Sequence, residues 1–263
     1  MKERIVAAIP NYNMGEHAAA LGKLLLCQDY DHVYVLDDCS TDDSLAQLQK
    51  VQDKRFTVVE GEINVGAGAV RNRILDYEHH GYVHFLDADV VPLSKAMPEA
   101  VVAAFGRHPD AGVLGFRVKN PDGSQYQHNY GPLITNPSFL ASVPYSKASR
   151  RWPSVFRPRK REPWNIIPEE DAVQEHIVEA VVECNMAVRL EDFEMAGGFA
   201  EDLRFHEIHH LALNLRKFKK TIWYVPENSV VKYDHKDVRP ARRKEELQAM
   251  KKIFKNKVTG KYR

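Results

Sequence analysis

Cysteines and long apolar runs are what this sequence has least of. Its three cysteines, Cys27, Cys39 and Cys184, are too widely spaced for a metal site, and an odd number cannot all pair. They are typical of reduced thiols in a cytoplasmic protein. No apolar run approaches the roughly 20 residues that a membrane-spanning helix needs. The first apolar stretch ends at Pro10, which is too early for a secretory signal. We therefore expect neither export nor a membrane anchor.

An overall charge imbalance is also absent, because the net charge is only +1. Charge is nevertheless concentrated in two basic segments, 147–164 and 236–263. Segment 147–164 carries aromatic side chains among its cations, so three interpretations stay open: a flap over an anionic donor, a nucleic-acid or other polyanion contact, or a solvated loop. The candidate residues for the first two are Trp152, Arg157, Arg159, Lys160, Arg161 and Trp164.

Alternating strand and helix signals predict an α/β fold over residues 1–119. Short apolar runs alternate with helical spacing, which indicates a mostly parallel sheet with helices on both faces. Seven prolines then break the pattern and predict an irregular basic loop at 120–165. We expect closing strands at 221–225 and 229–233 and a basic helix near the end. The predicted units are 1–119, a second half of the same domain at 120–235, and the C-terminal helix at 236–263.

Acidic residues follow two of the predicted strands. Asp87 and Asp89 come directly after the apolar run YVHFL, and Asp37 and Asp38 follow HVYVL. Ligands of open α/β sheets bind at the carboxyl ends of the strands. Two carboxylates two residues apart are suited to a hard divalent cation such as Mn²⁺ or Mg²⁺. Asp37 and Asp38 are candidates to accept hydrogen bonds from a nucleobase or a ribose. The alternative for Asp87 and Asp89 is a solvated turn, and the alternative for the Asp37–Asp38 segment is helix capping by the residues that follow.

Two further segments accompany these acids. In NVGAGAVRNR, Gly66 and Gly68 would let the backbone approach a ligand, and Arg71 would reach a phosphate or a base. In the turn CSTDDS, Ser40 and its neighbours are natural caps for a helix through residue 49. Each of these signals is weak when taken alone.

Together the segments resemble the large inverting family of nucleotide-sugar glycosyltransferases with the GT-A fold. The matching stretches, in order, are IPNYN, LDDCSTDDS, NVGAGAVRN, FLDADVVP and ECNMAVRLEDFEMAGGF, spread over about 230 residues. The resemblance implies a Rossmann-like nucleotide-sugar-binding half with an acceptor-side extension. It also implies specific roles: a nucleobase pocket at Pro10, Tyr12, Asp37 and Arg71, a ribose contact at Asp87, a metal ligand at Asp89, and a further metal contact at His235.

The sequence departs from the family in one place. After Gly-Gly-Phe the family has a Glu-Asp pair that supplies the general base, whereas this chain reads FHEIHHLALNLR. Glu207 lies two or three residues early, and His209 and His210 occupy the expected positions. The base is therefore Glu207 with a small shift or one of the histidines, whose ordinary pKa of about 6.5 suits the role. If both histidines are only a solvated helix face, a normal base is missing.

The leading hypothesis is a metal-dependent inverting glycosyltransferase that uses a nucleotide sugar, with UDP as the favoured nucleotide. The acceptor would be a glycan, a small molecule or DNA; a hydroxymethylated base in DNA would give both basic segments a purpose. A nucleotidyltransferase is disfavoured because residues 9–16 lack its Gly-rich signature. A non-catalytic binder of nucleotide sugars or polyanions is the alternative from another class.

Overall fold

A computed structural model describes residues 3–126, 129–133, 173–233, 248 and 251–253. The strands are β1 (Ile5–Asn11), β2 (His32–Asp37), β3 (Phe56–Val59), β4 (Tyr82–Leu86), β5 (Val90–Pro92), β6 (Ala111–Lys119), β7 (Tyr130–Gly131), β8 (His176–Val178), β9 (Ala180–Val181), β10 (Asn185–Arg189) and β11 (Thr221–Lys232). The helices are α1 (Gly15–Leu26), α2 (Ser44–Leu48), α3 (Ala67–Arg71), α4 (Met97–Arg107), α5 (Leu190–Met195) and α6 (Glu207–Lys217), with a 3-10 helix at Asn72–Asp76.

The main sheet has the order β3-β2-β1-β4-β10-β6-β11-β5, and β8 pairs with β11. The strands β3, β2, β1 and β4 are parallel, as the sequence predicted. Between β4 and β6 lies β10, which is antiparallel to both and comes from after the proline-rich excursion. The sheet therefore joins the early and late parts of the chain at its centre.

The two predicted closing strands are one strand, so that part of the sequence prediction is wrong. Strand β11 is continuous, and its register against β6 shifts between Val225 and Val230. At the shift Pro226 has no backbone N–H for the ladder, and Asn228 adopts a φ of 51°. An irregularity inside a strand looks like a turn in the sequence.

Helices cover both faces of the sheet, as predicted. In β1, Val6 and Ala8 face one apolar core, and Ile5, Ala7 and Ile9 face the other, because successive side chains of a strand alternate. The first core also holds side chains of α3, α5 and α6, and the second holds side chains of α1 and α4. Burying one large aliphatic side chain contributes about 1.5–3 kcal/mol, so both layers hold the strand ends in place.

Some predicted features lie outside the described residues. These are His235, the candidates in segment 147–164, and most of the loop at 120–165 and of the C-terminal helix. Of that helix, residues 251–253 are described and helical, and Ile253 is buried in the core that holds α6. In the described part, no helix is both long and apolar enough to cross a bilayer. The division into units at 1–119, 120–235 and 236–263 stays a prediction.

Candidate active site

The Asp87–Asp89 pair lies where β4 ends and the chain turns into β5. Its backbone is fixed by a hydrogen bond from the Asp87 N–H to the carbonyl of Cys184. The Asp87 carboxylate accepts a hydrogen bond from Arg71, with 2.6 Å between Nη2 and Oδ1. Arg71 is buried, and its guanidinium lies about 6 Å from the ring centres of Phe85 and Phe199. The structure thus places Arg71 directly against Asp87; its predicted contact with a donor stays a prediction.

A lysine lies between the two carboxylates. The Lys232 ammonium is 2.8 Å from Asp89 Oδ1 and 3.2 Å from Asp87 Oδ2. Lys232 ends β11 and pairs with Val90 of β5, and the Tyr233 N–H donates to the Asp89 carbonyl. Strand pairing therefore fixes the backbone of the lysine directly beside the two acids.

The cations set the charge state of this pair. Burial alone would raise the pKa of Asp87, but Lys232 and Arg71 outweigh it and hold the pKa below its ordinary value. Burial likewise opposes the charge of Lys232, yet Asp87 and the neighbouring acids raise its pKa. The two acids of this pair are therefore matched by two cations, Lys232 and Arg71.

Asp38 organises the glycine-containing segment. Its carboxylate accepts the N–H groups of Val65 and Gly66 at 2.7 and 2.8 Å. Arg204 also contacts this segment, donating to the side chain and the carbonyl of Asn64. Both contacts fix the path of this segment into α3. Both oxygens of Asp38 already accept hydrogen bonds from this segment. Its predicted contact with a donor stays a prediction.

Asp37 lies at the end of β2 and is buried. It accepts hydrogen bonds from Asn11 Nδ2 at 2.7 Å and from the N–H and hydroxyl of Ser40 at 2.9 and 2.6 Å. The prediction that Ser40 helps to cap the next helix is wrong: its hydroxyl donates to Asp37, and the N-cap residue of α2, Asp43, makes no side-chain cap. Asp42 Oδ1 instead accepts the N–H of Ser44, the first residue of α2, at 3.0 Å. Asn11 Oδ1 is buried with no hydrogen-bond partner in the described part of the chain.

The other two predicted nucleobase contacts lie at the same sheet edge. Pro10 is the penultimate residue of β1 and is half-buried, whereas the Tyr12 side chain is 46% exposed. An exposed aromatic ring beside buried amide and carboxylate groups is suited to stacking on a base. Their roles in nucleotide binding stay predictions.

A second pair of carboxylates belongs to Glu183 and Glu207. Glu207 is the first residue of α6 and is buried against α3, where a Cβ on Gly68 would lie 2.4 Å from its Cγ. The Ile208 N–H, in the first turn of the same helix, donates to Glu183 Oε1 at 3.3 Å. Gly68 thus makes room for a protein carboxylate, whereas the sequence suggested room for a ligand.

This second pair has the opposite electrostatics to the first. Burial, reinforced by the charge of Glu183, raises the pKa of Glu207 to about 7, although Arg71 opposes the shift. The pKa of Glu183 is also raised, again chiefly by burial. A carboxylate with a pKa near 7 is matched to general-base catalysis at neutral pH.

The two candidate histidines differ from Glu207. Burial lowers the pKa of His209 to about 3, with a further contribution from His206, and such a group is a weak base. His210 Nε2 lies 3.3 Å from Asn214 Nδ2, and Asn214 in turn donates to the carbonyl of Ala196 at the end of α5. The geometry favours Glu207 as the base, and the assignment stays a prediction.

Two residues of the site escaped the sequence interpretation. Lys232 lies within VVKYDH, a stretch in which only His235 was predicted to contact the metal. Glu183 opens the stretch ECNMAV. The available signals were a lysine ending a predicted apolar strand and an acid two residues before Asn185. Both residues reach the site only through long-range strand pairing.

The chemistry of the Asp87–Asp89 pair fits a divalent ion. Two carboxylates supply the hard oxygen ligands that Mg²⁺ and Mn²⁺ prefer, and such ions take their remaining ligands from substrate phosphates and water. Within the described ranges, no group of three or more His, Cys, Asp or Glu side chains forms a metal cage. Lys232 and an ion would compete for the same carboxylate oxygens.

Comparison with known proteins identifies the class. The model of glycosyl transferase family 2 matches residues 7–165. This chain therefore belongs to glycosyl transferase family 2, and the family resemblance found in the sequence is confirmed.

Individual relatives agree with this assignment. The chain is 37% identical over 93 residues to the putative teichuronic acid biosynthesis glycosyltransferase TuaG of Bacillus subtilis, which covers 34% of this chain and 36% of TuaG. It is 31% identical over 121 residues to the poly(ribitol-phosphate) β-N-acetylglucosaminyltransferase TarS of Staphylococcus aureus, covering 44% of this chain and 21% of TarS. These matches span only a fifth to about a third of the curated relatives.

Solved structures confirm the GT-A fold. The mannosyltransferase PcManGT of Pyrobaculum calidifontis, in complex with GDP-Man and Mn²⁺, superimposes with a TM-score of 0.66 at 19% identity. The match covers 98% of this chain and 65% of that one. A TarS structure with UDP-GlcNAc gives a TM-score of 0.56 at 19% identity, covering 89% of this chain and 60% of the other.

Proposed function

We propose that this protein transfers a sugar from a UDP-sugar to an acceptor hydroxyl with inversion at the anomeric carbon. The observation that carries the proposal is the presence of two carboxylate pairs with opposite electrostatics, both within the field of Arg71. In the first pair, cations contact both acids and hold the pKa of Asp87 down; in the second, the pKa values of both acids are raised. Glycosyl transfer from a nucleotide sugar needs both: charge control at a diphosphate and a base at a hydroxyl.

The donor half binds the nucleotide at the ends of β1 and β2. Asn11 Oδ1 and the Asp37 carboxylate face the polar edge of the base, and Tyr12 provides a stacking surface. Asp87 contacts the ribose. The diphosphate then lies over the end of β4, where Lys232 and Arg71 provide positive charge.

Asp89, together with Asp87, would hold Mn²⁺ or Mg²⁺. Such an ion, when bound, supplies Lewis-acid stabilisation of the diphosphate leaving group. The chain's own residues contribute by orienting these two carboxylates: the Cys184 carbonyl fixes the Asp87 backbone, and Tyr233 fixes that of Asp89.

Glu207 acts as the general base. Its carboxylate takes the proton of the acceptor hydroxyl as the oxygen forms a bond to the anomeric carbon. The bond from that carbon to the diphosphate oxygen breaks on the opposite face, and its electron pair leaves with the nucleotide diphosphate. Because attack and departure are on opposite faces, the anomeric configuration inverts.

Two relatives bear on the donor and the acceptor. The name of TarS specifies N-acetylglucosaminyl transfer to poly(ribitol phosphate), and one of its structures holds UDP-GlcNAc. Because TarS matches in sequence as well as in fold, UDP is the favoured nucleotide over the GDP of PcManGT. The favoured acceptor is a hydroxyl of a glycan or a polyol-phosphate polymer.

The test is a screen of radiolabelled UDP-sugars and GDP-mannose against glycans, polyol phosphates, lipids and DNA. We expect transfer from a UDP-sugar, with an inverted anomeric centre when the product is analysed by NMR. Transfer from GDP-mannose alone would contradict the nucleotide assignment, and a retained configuration would contradict the mechanism. Nucleotide-sugar binding without transfer to any acceptor would favour a non-catalytic binding protein.

A further inference from the structure

The cation site of the donor half already contains a cation from the protein. The Lys232 ammonium is within 3.2 Å of both carboxylates of the Asp87–Asp89 pair, and its side chain is 14% exposed. A divalent ion held by this pair needs the same oxygens. With Arg71 on the remaining Asp87 oxygen, neither acid has surplus negative charge to attract a free ion.

The charges change when a nucleotide diphosphate arrives. Two carboxylates, one ammonium and one guanidinium sum to zero, so a divalent ion alone would leave the site with two excess positive charges. The two negative charges of a nucleotide-sugar diphosphate cancel that excess. Ion and donor therefore favour each other's binding, and the ammonium has a diphosphate to which it can move.

The side chain of Lys232 is able to make that movement. Strand pairing with Val90 fixes its backbone, but the ammonium is carried on a flexible four-carbon stem. Rotation of that stem exchanges one set of anionic oxygens for another without moving β11. An arginine at this position would exchange less readily, because its planar fork favours fixed bidentate pairs.

We propose that Lys232 is a resident counter-ion of the donor site. Its ammonium occupies the place between Asp87 and Asp89 in the free protein, keeps free divalent cations out, and moves to the diphosphate when a nucleotide and an ion bind together. The movement of the ammonium to the diphosphate rests on the proposed function. The exclusion of free cations concerns the free protein alone.

The first experiment measures Mn²⁺ binding without nucleotide, from the EPR signal of free Mn²⁺. We expect Lys232→Met to bind Mn²⁺ about tenfold more tightly than wild type or better, the scale of one partly buried ion pair. Lys232→Arg retains the cation and should stay as weak as wild type. Adding Asp89→Asn to Lys232→Met should abolish the gain.

Lys220, which directly precedes β11, provides a matched control. Lys220 pairs with Asp192 at 2.9 Å and is similarly shielded, but that pair is not part of the Asp87–Asp89 site. Lys220→Met should leave Mn²⁺ binding unchanged. Circular dichroism establishes that each variant is folded. Equal Mn²⁺ affinity in folded Lys232→Met and wild type would overturn the proposal, because it would show that the ammonium does not compete with the ion.

The second experiment repeats the titration with UDP present. A ligand that relieves competition strengthens binding most where competition exists. UDP should therefore tighten Mn²⁺ binding by a larger factor in wild type than in Lys232→Met, and equal factors would overturn the transfer of the ammonium. Failure of the proposed function would give a different result. No sugar would be transferred from any donor, but wild type and Lys232→Met would still differ in Mn²⁺ affinity without nucleotide.

Discussion

The two carboxylate pairs of the site use the same chemical group for different purposes. At the end of β4, Asp87 and Asp89 are matched by Lys232 and Arg71, and the pKa of Asp87 is held down. At the start of α6, Glu207 has a second acid as its neighbour, and its pKa rises to about 7. Neighbouring cations lower the pKa of Asp87 in one pair, and burial with a like charge raises the pKa of Glu207 in the other, as the proposed proton acceptor requires.

Removing one acid of the Asp87–Asp89 pair should have the largest effect. We expect Asp89→Ala to lower kcat/KM about 10³-fold or more, because the diphosphate loses stabilisation of several kcal/mol. The measurement is transfer from a UDP-sugar, with and without EDTA and added Mn²⁺. Asp29→Asn, on an exposed turn, is the control. Full activity of the wild type in chelator would contradict a metal requirement at the Asp87–Asp89 pair.

Removing the proposed proton acceptor, Glu207, should have the next largest effect. Glu207→Gln keeps the size of the side chain and should lower kcat by about 10²-fold or more, with unchanged UDP affinity. Steady-state kinetics and a UDP titration separate the two quantities. Glu201→Gln is a matched control on an exposed turn. If Glu207→Gln is active and His210→Ala is not, the histidine is the base.

The neighbour of the base should shift the pH dependence of the reaction. Because Glu207 acts only when ionised, kcat/KM should rise with pH through about 7. Burial is the larger cause of the raised pKa and remains in Glu183→Gln, but the like charge is gone, so the midpoint should move down part of the way. A pH profile of kcat/KM for both proteins measures this shift. An unchanged midpoint would show that Glu183 does not tune the base.

The smallest effect should follow from crowding the base. A methyl group on Gly68 would lie 2.4 Å from Glu207 Cγ, so Gly68→Ala should displace the carboxylate and cost about 1–3 kcal/mol of unfolding free energy. Thermal unfolding and kcat together test this. Gly106→Ala is the control, because a Cβ there meets nothing within 4 Å and alanine favours the helix α4. Equal stability of the two variants would contradict the packing described for Glu207.

The donor side was largely predictable from the sequence. Asp37, Asp87 and Asp89 directly follow apolar runs, and in a parallel sheet such strand ends meet at one edge. Local patterns therefore located these residues without knowledge of the strand order. Glu207 was identified only through the family resemblance, which fixed the helix on which it lies.

The positions of Lys232 and Glu183 in the site could not be predicted from local sequence patterns. Lys232 is 143 residues from Asp89, and the contact depends on the pairing of β11 with β5. Glu183 reaches the site because β10 inserts antiparallel beside β4. Neither pairing leaves a periodic signal in the sequence, since strand order is decided by tertiary packing.

The position of β10 also has a consequence for synthesis on the ribosome. The main-sheet neighbours of the apolar strand β6 in the described structure are β10 and β11, both of which are translated later. Asn185, at the start of β10, follows Arg117 by 68 residues and bonds its carbonyl. At about 5–20 residues per second, β6 waits roughly 3–14 s for that partner. During this interval the nascent chain carries an unpaired apolar strand, a segment that a chaperone would shield from neighbouring chains.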